Sequence, residues 1–470
     1  MARKNTAVFA ILMLLAVLPR TIQAQDVKTV LSNAAKAMGA ENLKTIQYSG
    51  SGSNAGIGQN KNPNAAWPLV RVKSYTREMD LSGPASRVQM VRIQNGAEQT
   101  QNQIINPSAQ WNTQSNLWIY PFTFLKAAMA SNDATVKSGT VDGDKYNIVT
   151  FALQNKYKIV GYINTSNLIE RVQTWVDNDV LGDMLVEGIY RDYKDFSGVK
   201  FPTTIIEKQG GFPVLILVVS DVKPNAAVNI PGQQTETQQN AGPAQTVTVQ
   251  SEKIADGVFY LRGGTHHSVV VEFADHVVVI EGPQNEQRSL AVIAEVKKLI
   301  PNKAIRYLVN THHHFDHSGG LRTYVDQGVT IITHAINKPF YENTFAAPHT
   351  LNPDRLAQSK KKPNIDIVSD KKVLTDGTRT LELHLIKDSP HNDGILMGYL
   401  PKERILIEVD VYTPPNPGAA APAVNPNAVN LVENIERLKL DVDKILPLHG
   451  PGVATKADLY KAAGKAAGSN

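Results

Sequence analysis

Five side chains able to hold a metal ion fall within the run Thr311-His312-His313-His314-Phe315-Asp316-His317, followed at once by Ser318-Gly319-Gly320. All 12 histidines lie between His266 and His449, so this chemistry belongs to the second half of the chain. Zinc and similar ions take nitrogen and oxygen ligands in a near-tetrahedral array, and a catalytic site keeps one position for water. The chain has no cysteine, which leaves imidazole and carboxylate to do the work. In extended backbone, residues two apart point the same way, so His312 and His314 can converge on one ion. Asp316 and His317 lie where the loop turns into a helix and aim at a neighbouring position. His313 faces the other way and is expected to support the site without ligating.

The elements that must position this run alternate strand with helix. From Lys253 onward, 269–273 and 276–280 read as hairpin strands and 286–299 as an amphipathic helix, with Leu290, Ile293, Val296 and Leu299 three apart. A buried strand over 305–310 feeds the cluster, 318–325 reads as helix, and 329–333, 381–386, 395–400, 405–409 and 445–448 read as further strands. Such alternation indicates layered sheets covered by helices. The first half differs. One helix is predicted over 27–46, then short alternating segments such as 71–75, 146–150, 158–163, 169–176, 184–190 and 212–222, which imply an antiparallel meander. Trp111, Trp118, Tyr120, Phe122 and Phe124 are expected in the core of that sheet, with a ligand groove as the alternative.

The chain of 470 residues is too long for one ordinary core. Arg3, Lys4 and the apolar run 7–18, ending near Ala24, read as a signal peptide over 1–24. A β-rich domain over 26–223, a Pro/Gly/Gln-rich linker over 224–250 and an α/β-layered domain over 251–470 follow, for an α+β chain overall. With no cysteine to carry a lipid, no membrane anchor is expected and the mature protein should be exported, periplasmic or secreted. The formal charge of +5 falls to +2 once Arg3, Lys4 and Arg20 are removed, which gives no footprint for nucleic acid.

His312-x-His314-x-Asp316-His317 after a buried strand resembles the signature of the metallo-β-lactamase superfamily of hydrolases, over about residues 252–465. His391, in Asp388-Ser389-Pro390-His391-Asn392-Asp393, takes the place of the third histidine. Asp410, closing the strand that contains Glu408, fits the bridging carboxylate, and His449, in Leu448-His449-Gly450, matches the last histidine. The resemblance implies a four-layer αβ/βα sandwich holding two zinc ions, or another divalent metal such as iron or manganese. His312, His314 and His391 would bind the first ion, Asp316, His317 and His449 the second, with Asp410 between them. Two such ions would share a water held as hydroxide, which attacks a carbonyl while Asp316 orients it. Asp410 and the missing cysteine point to the glyoxalase II and lactonase branches, and so to a lactone, ester or thioester as small-molecule substrate, with a β-lactam as a further candidate. A phosphodiesterase or sulfatase on the same site, or a non-catalytic ligand carrier, are the competing readings.

One departure concerns Glu281, where the family usually has Asp; its longer side chain must place the carboxylate differently. Tyr412 is a candidate oxyanion donor and His266 a candidate substrate contact, with His267 beside it. His334 and His349 are expected on the rim, His276 and His384 at the surface. The Pro- and Ala-rich segment 412–427 and the segment 340–362 are expected to wall the site.

Overall fold

Hydrophobic alternation along the first half builds one long antiparallel sheet, because each strand has one face to bury and the turns between strands are short. The computed structural model describes residues 26–94, 96–231, 247–416, 418 and 423–465; the expected signal segment 1–24 and residues 232–246 of the expected linker lie outside them. Eleven strands pair in this sheet, and its first strand, Thr45–Ala55, lies against its last, Phe212–Pro224. The helices Val27–Met38, Trp111–Trp118 and Pro121–Ala130 pack on it around Tyr48, Phe124, Phe201 and Leu217.

Two features depart from the expected pattern. The helix predicted over 27–46 stops at Met38, where the Gly39 N–H caps the Ala35 and Lys36 carbonyls, and the chain is extended again from Thr45. The aromatic run supplies two helices that interrupt the meander, the second opened by Pro121 at its first turn. Their rings are buried in the sheet core, so the run provides packing and not an open groove.

The second half forms two sheets packed face to face. One has seven strands from Gln250–Ala255 to Ile365–Val368, antiparallel at first and parallel from His276–Ile280 onward; the other has six, from Lys371–Thr375 to Ala454–Thr455. Val258, Val269, Ile280, Leu381, Leu396 and Ile407 fill the space between them. Helices Glu286–Leu299 and Leu321–Asp326 cover the outer face of the first sheet, and Pro426–Leu438 and Lys456–Ala462 that of the second. This is the four-layer αβ/βα arrangement, preceded by the β-rich domain.

The helix expected over 318–325 is broken into Phe315–Ser318 and Leu321–Asp326 by Gly319 and Gly320. A Cβ on Gly319 would lie 1.9 Å from the Gln284 carbonyl oxygen, so only glycine lets this turn approach the neighbouring loop. The segment 340–362, expected to wall the site, lies beneath it instead. Helix Lys338–Ala346 packs beneath the cluster, where Tyr341 Oη donates to Asn310 and to the His312 carbonyl, and Thr350 and Leu351 bond to Asp183 of the first domain.

Candidate metal centre

Every element that ends at the cluster delivers its side chain from a strand terminus or the turn beyond it. Strand Ala304–Val309 leads to His312 and His314, and the short helix Phe315–Ser318 carries Asp316 and His317. His391 sits in the loop before strand Leu396–Leu400, Asp410 follows strand Ile405–Glu408, and His449 follows strand Lys444–Pro447. Asp410 and Glu281 hold backbone φ of 62° and 72°, a left-handed conformation that non-glycine residues adopt at a cost of roughly 1–3 kcal/mol. Both carboxylates are thereby turned inward.

Two groups result. His312, His314, His391 and Asp410 converge in one, and His266, Asp316, His317 and His449 in the other, each with its ligand atoms within 4.8 Å of one another. Asp410 joins them: Oδ2 is 3.2 Å from His312 Nε2, 3.1 Å from His391 Nε2 and 3.1 Å from His317 Nε2, while Oδ1 is 2.9 Å from His449 Nε2. His266 was expected only as a substrate contact; the structure sets its Nε2 3.2 Å from Asp316 Oδ2, with its ring 4.3 Å from that of His449.

The outer partners of these rings show what the centre is built to hold. His314 Nε2 faces the Asn60 carbonyl at 2.9 Å, an acceptor only, so Nε2 carries the hydrogen and the Nδ1 lone pair points at His391 Nε2, 3.1 Å away. His449 Nδ1 likewise donates to the Thr265 carbonyl at 2.7 Å, and His317 Nδ1 lies 3.3 Å from Glu281 Oε2. His449 Nε2, left bare, then faces His317 Nε2 at 3.1 Å. His312 Nε2 is buried with no hydrogen-bond partner. His314 Nδ1 and His449 Nε2 are thus left as lone pairs aimed at a neighbouring ring nitrogen, and spacings near 3.1 Å suit neighbouring ligands of one small ion. The donor set fits two divalent metals.

Glu281 answers the departure from the family pattern. Its Oε1 accepts the Thr311 N–H at 2.6 Å while Oε2 reaches His317, so the longer side chain ties the start of the cluster to one of its rings. His313 is not turned toward either group. Its Nε2 donates to Asn60 Oδ1 at 3.0 Å, and its Nδ1 accepts from Asn392 Nδ2 at 3.3 Å. Asn392 is oriented in turn by the Gly394 N–H on its Oδ1.

Other residues fall differently from expectation. His267 points away from the centre to the Gly450 carbonyl at 2.9 Å. His276 and His384 are buried, not superficial: His276 stacks on Phe273 and pairs with Asp275, and His384 pairs with Glu382. His349 is buried against Asp177 of the first domain, and His334 caps the turn Ala335–Asn337, so neither forms the rim. Tyr412 packs with Leu431 and Leu459 on the margin of a cleft of about 1780 Å³ that includes His314 and His391, and burial pushes its hydroxyl up to about 12.

The largest element that sequence reasoning missed comes from the first domain. The loop 56–68, between strands Thr45–Ala55 and Leu69–Asp80, enters the centre: Gln59 Nε2 donates to Asp316 Oδ1 at 2.8 Å, and Asn60 serves His313 and His314. Its signal was a polar, Gly- and Asn-rich stretch far longer than a hairpin turn needs.

Burial and neighbouring histidines push His313 down to about 3 and His314 to about 4, and burial also lowers His312. Burial acts on His317 too, but the Asp410 and Glu281 carboxylates outweigh it and raise that ring. An unfolded chain protonates its histidines near pH ~6.5, so in acid it binds protons that folded His312, His313 and His314 refuse. Their contribution is lost as pH falls below ~6.5, by up to about 1.4 kcal/mol per pH unit for each ring, whereas that of His317 is fully present below ~6.5 and is lost only as pH rises through its raised folded value. Below ~6.5 the lowered rings alone set the slope. The metal-free protein should therefore have a lower denaturant midpoint at pH 5 than at pH 7; an equal or higher midpoint would contradict this balance.

Residues 261–449 match the family described as the metallo-beta-lactamase superfamily. Solved structures similar to this chain include a metallo-beta-lactamase from Pontibacter korlensis, at 18% identity over 46% of this chain and 98% of that one, with a TM-score of 0.35. A metallo-beta-lactamase from Hirschia baltica is similar at 18% identity, 46% and 96% coverage and a TM-score of 0.35. The mono-zinc form of one from Pseudomonas aeruginosa gives 19%, 46% and 94%, and 0.34. No curated protein matches the chain.

Proposed function

We infer the function from the premise that, through residues 261–449, this chain belongs to the metallo-beta-lactamase superfamily: the protein is a metal-dependent hydrolase. The finer reading is a dinuclear zinc enzyme that cleaves a lactone, ester or thioester. The convergence of ring nitrogens from His312, His317, His391 and His449 on Asp410 carries it. Bound divalent ions supply a water of lowered pKa and polarise a carbonyl oxygen.

The chain's own residues do the rest. His312, His314, His391 and Asp410 would hold one ion, and Asp316, His317, His449 and Asp410 the other, with His266 adding a further nitrogen to the second group. Asp316 keeps Oδ2 toward the centre, because Gln59 holds Oδ1 on the far side. Its carboxyl stays ionised: burial opposes this, but His266 and His317 outweigh the penalty. That makes Asp316 a charged ligand and hydrogen-bond acceptor suited to orienting water. Tyr412, protonated at neutral pH and lining the same cleft, would be the donor to a developing oxyanion on this reading. The substrate class rests on Asp410 and on the absence of thiolate ligands, both features of the glyoxalase II and lactonase branches that the motifs resemble. Export rests on residues 1–24 alone; among the described residues no helix is long and apolar enough to cross a membrane.

Zinc titration into metal-free protein should raise hydrolysis of lactones, esters or thioesters until two equivalents are bound. Activity confined to aryl phosphodiesters or sulfate esters would replace this substrate assignment, and zinc binding without hydrolysis of any of these would favour a carrier.

A further inference from the structure

The β-rich domain is more than a neighbour of the centre. We propose that its loop 56–68 is the outer coordination layer of the two-metal site, with Asn60 selecting the ligating tautomer of His314 and Gln59 fixing which oxygen of Asp316 faces inward. The proposal rests on the metal reading above and assigns a task to a domain that the family match does not cover.

Asn60 is buried, and its orientation is fixed without ambiguity. Its Nδ2 donates to two carbonyls of its own loop, Asn62 at 2.7 Å and Ala65 at 3.1 Å, so its Oδ1 must be the atom that meets His313 Nε2. The same brace sets the backbone carbonyl that accepts from His314 Nε2, with Asn392 Nδ2 donating to that carbonyl from 3.3 Å. An acceptor at Nε2 forces the hydrogen there and leaves Nδ1 free to ligate. Gln59 reads Asp316 in the same way. A carboxylate only accepts, so the amide nitrogen faces Oδ1 and Oδ2 is left beside His266 and His317, at 3.2 and 3.4 Å.

The loop is itself pinned to the second domain at both ends of this contact. The Asp393 N–H donates to the Lys61 carbonyl at 2.9 Å, Asn62 Nδ2 donates to Asp393 Oδ2 at 2.9 Å, and Lys61 Nζ donates to the Ser389 carbonyl. Those partners flank His391. On the other side, Trp67 sets its ring edge-on to Phe315, the residue before Asp316, with centroids 6.1 Å apart. Gln59 and Asn60 are positioning residues, since they act through Asp316, His313 and His314 and not on substrate.

The test uses the full chain and zinc. Chelator-competition titration should show Gln59→Met, nearly isosteric but without the donor, weakening one of the two zinc affinities by roughly 10–100-fold, and Asn60→Ala weakening the other by a similar factor. Long-range proton–nitrogen NMR of the metal-free, histidine-labelled protein gives a readout independent of metal. Wild-type His314 should carry its hydrogen on Nε2, and Asn60→Ala should mix the two tautomers. Both variants holding two zincs within twofold of wild type, with the His314 tautomer unchanged, would overturn the role of the loop and leave the metal reading standing. Wild-type protein that binds no zinc would overturn both. Gln59→Met also decides the matter if Asn60→Ala fails to fold.

Discussion

Asp410→Ala will cost both ions and at least about a thousandfold in kcat/KM, or about 4 kcal/mol of transition-state stabilisation. The size follows from position. One carboxylate touches four histidines drawn from three loops, two in each metal group, so its loss removes a shared ligand and the negative charge that lets the rings gather. Asp410 is held well below the usual carboxylate range; burial works against this, but the adjacent rings, His317 first, prevail. It is therefore ionised throughout the neutral range. Asp410→Asn separates charge from shape, since the amide fills the same space and should lose nearly as much. His266→Ala is the contrast. It removes a ligand atom from the second group alone, so metal analysis should show one ion retained where Asp410→Ala retains neither. Undiminished hydrolysis by the Asp410 variants would refute the shared site.

The side chains of the two groups were legible because residues gathered at strand ends leave compact motifs: His312 to His317 lie on one turn of loop and helix, and Asp410 and His449 each lie two residues past a buried strand. Periodicity gave helix Glu286–Leu299 to the residue. His266 was harder to read, since its place in the cluster depends on the isolated bridge between His266 and His449, a pairing across a long stretch of chain that no local pattern encodes. Buried His276 and His384 look like surface residues in sequence because each carries its own charged partner close by, Asp275 and Glu382. Gln59 and Asn60 were invisible for a stronger reason. They act across 257 and 254 positions of sequence on Asp316 and His314, and only the docking of two domains brings them there.

That docking depends on one missing side chain. Gly58 sits at φ +69°, and a Cβ there would lie 2.2 Å from Phe315 Cγ and 2.5 Å from Cδ1. Gly58→Val meets both a left-handed backbone, in which a β-branched residue is strained, and a ring that is held between Trp67 and Phe340. Relief requires either the loop to withdraw or helix Phe315–Ser318 to move, and that helix carries Asp316 and His317. The expected result is a loss of roughly 2–4 kcal/mol in folding stability together with at least a tenfold loss of zinc affinity. Gly56→Ala serves as control in the same loop, because a Cβ there meets only the Gln59 side chain, at an ordinary 3.5 Å from Cγ and 3.8 Å from Cβ, and no left-handed φ is involved. Denaturant melts and chelator competition on both variants separate the outcomes. If the two domains merely lie side by side, Gly58→Val lowers stability and leaves zinc affinity at the wild-type value; if the first domain completes the centre, stability and affinity fall together, and Gly56→Ala changes neither.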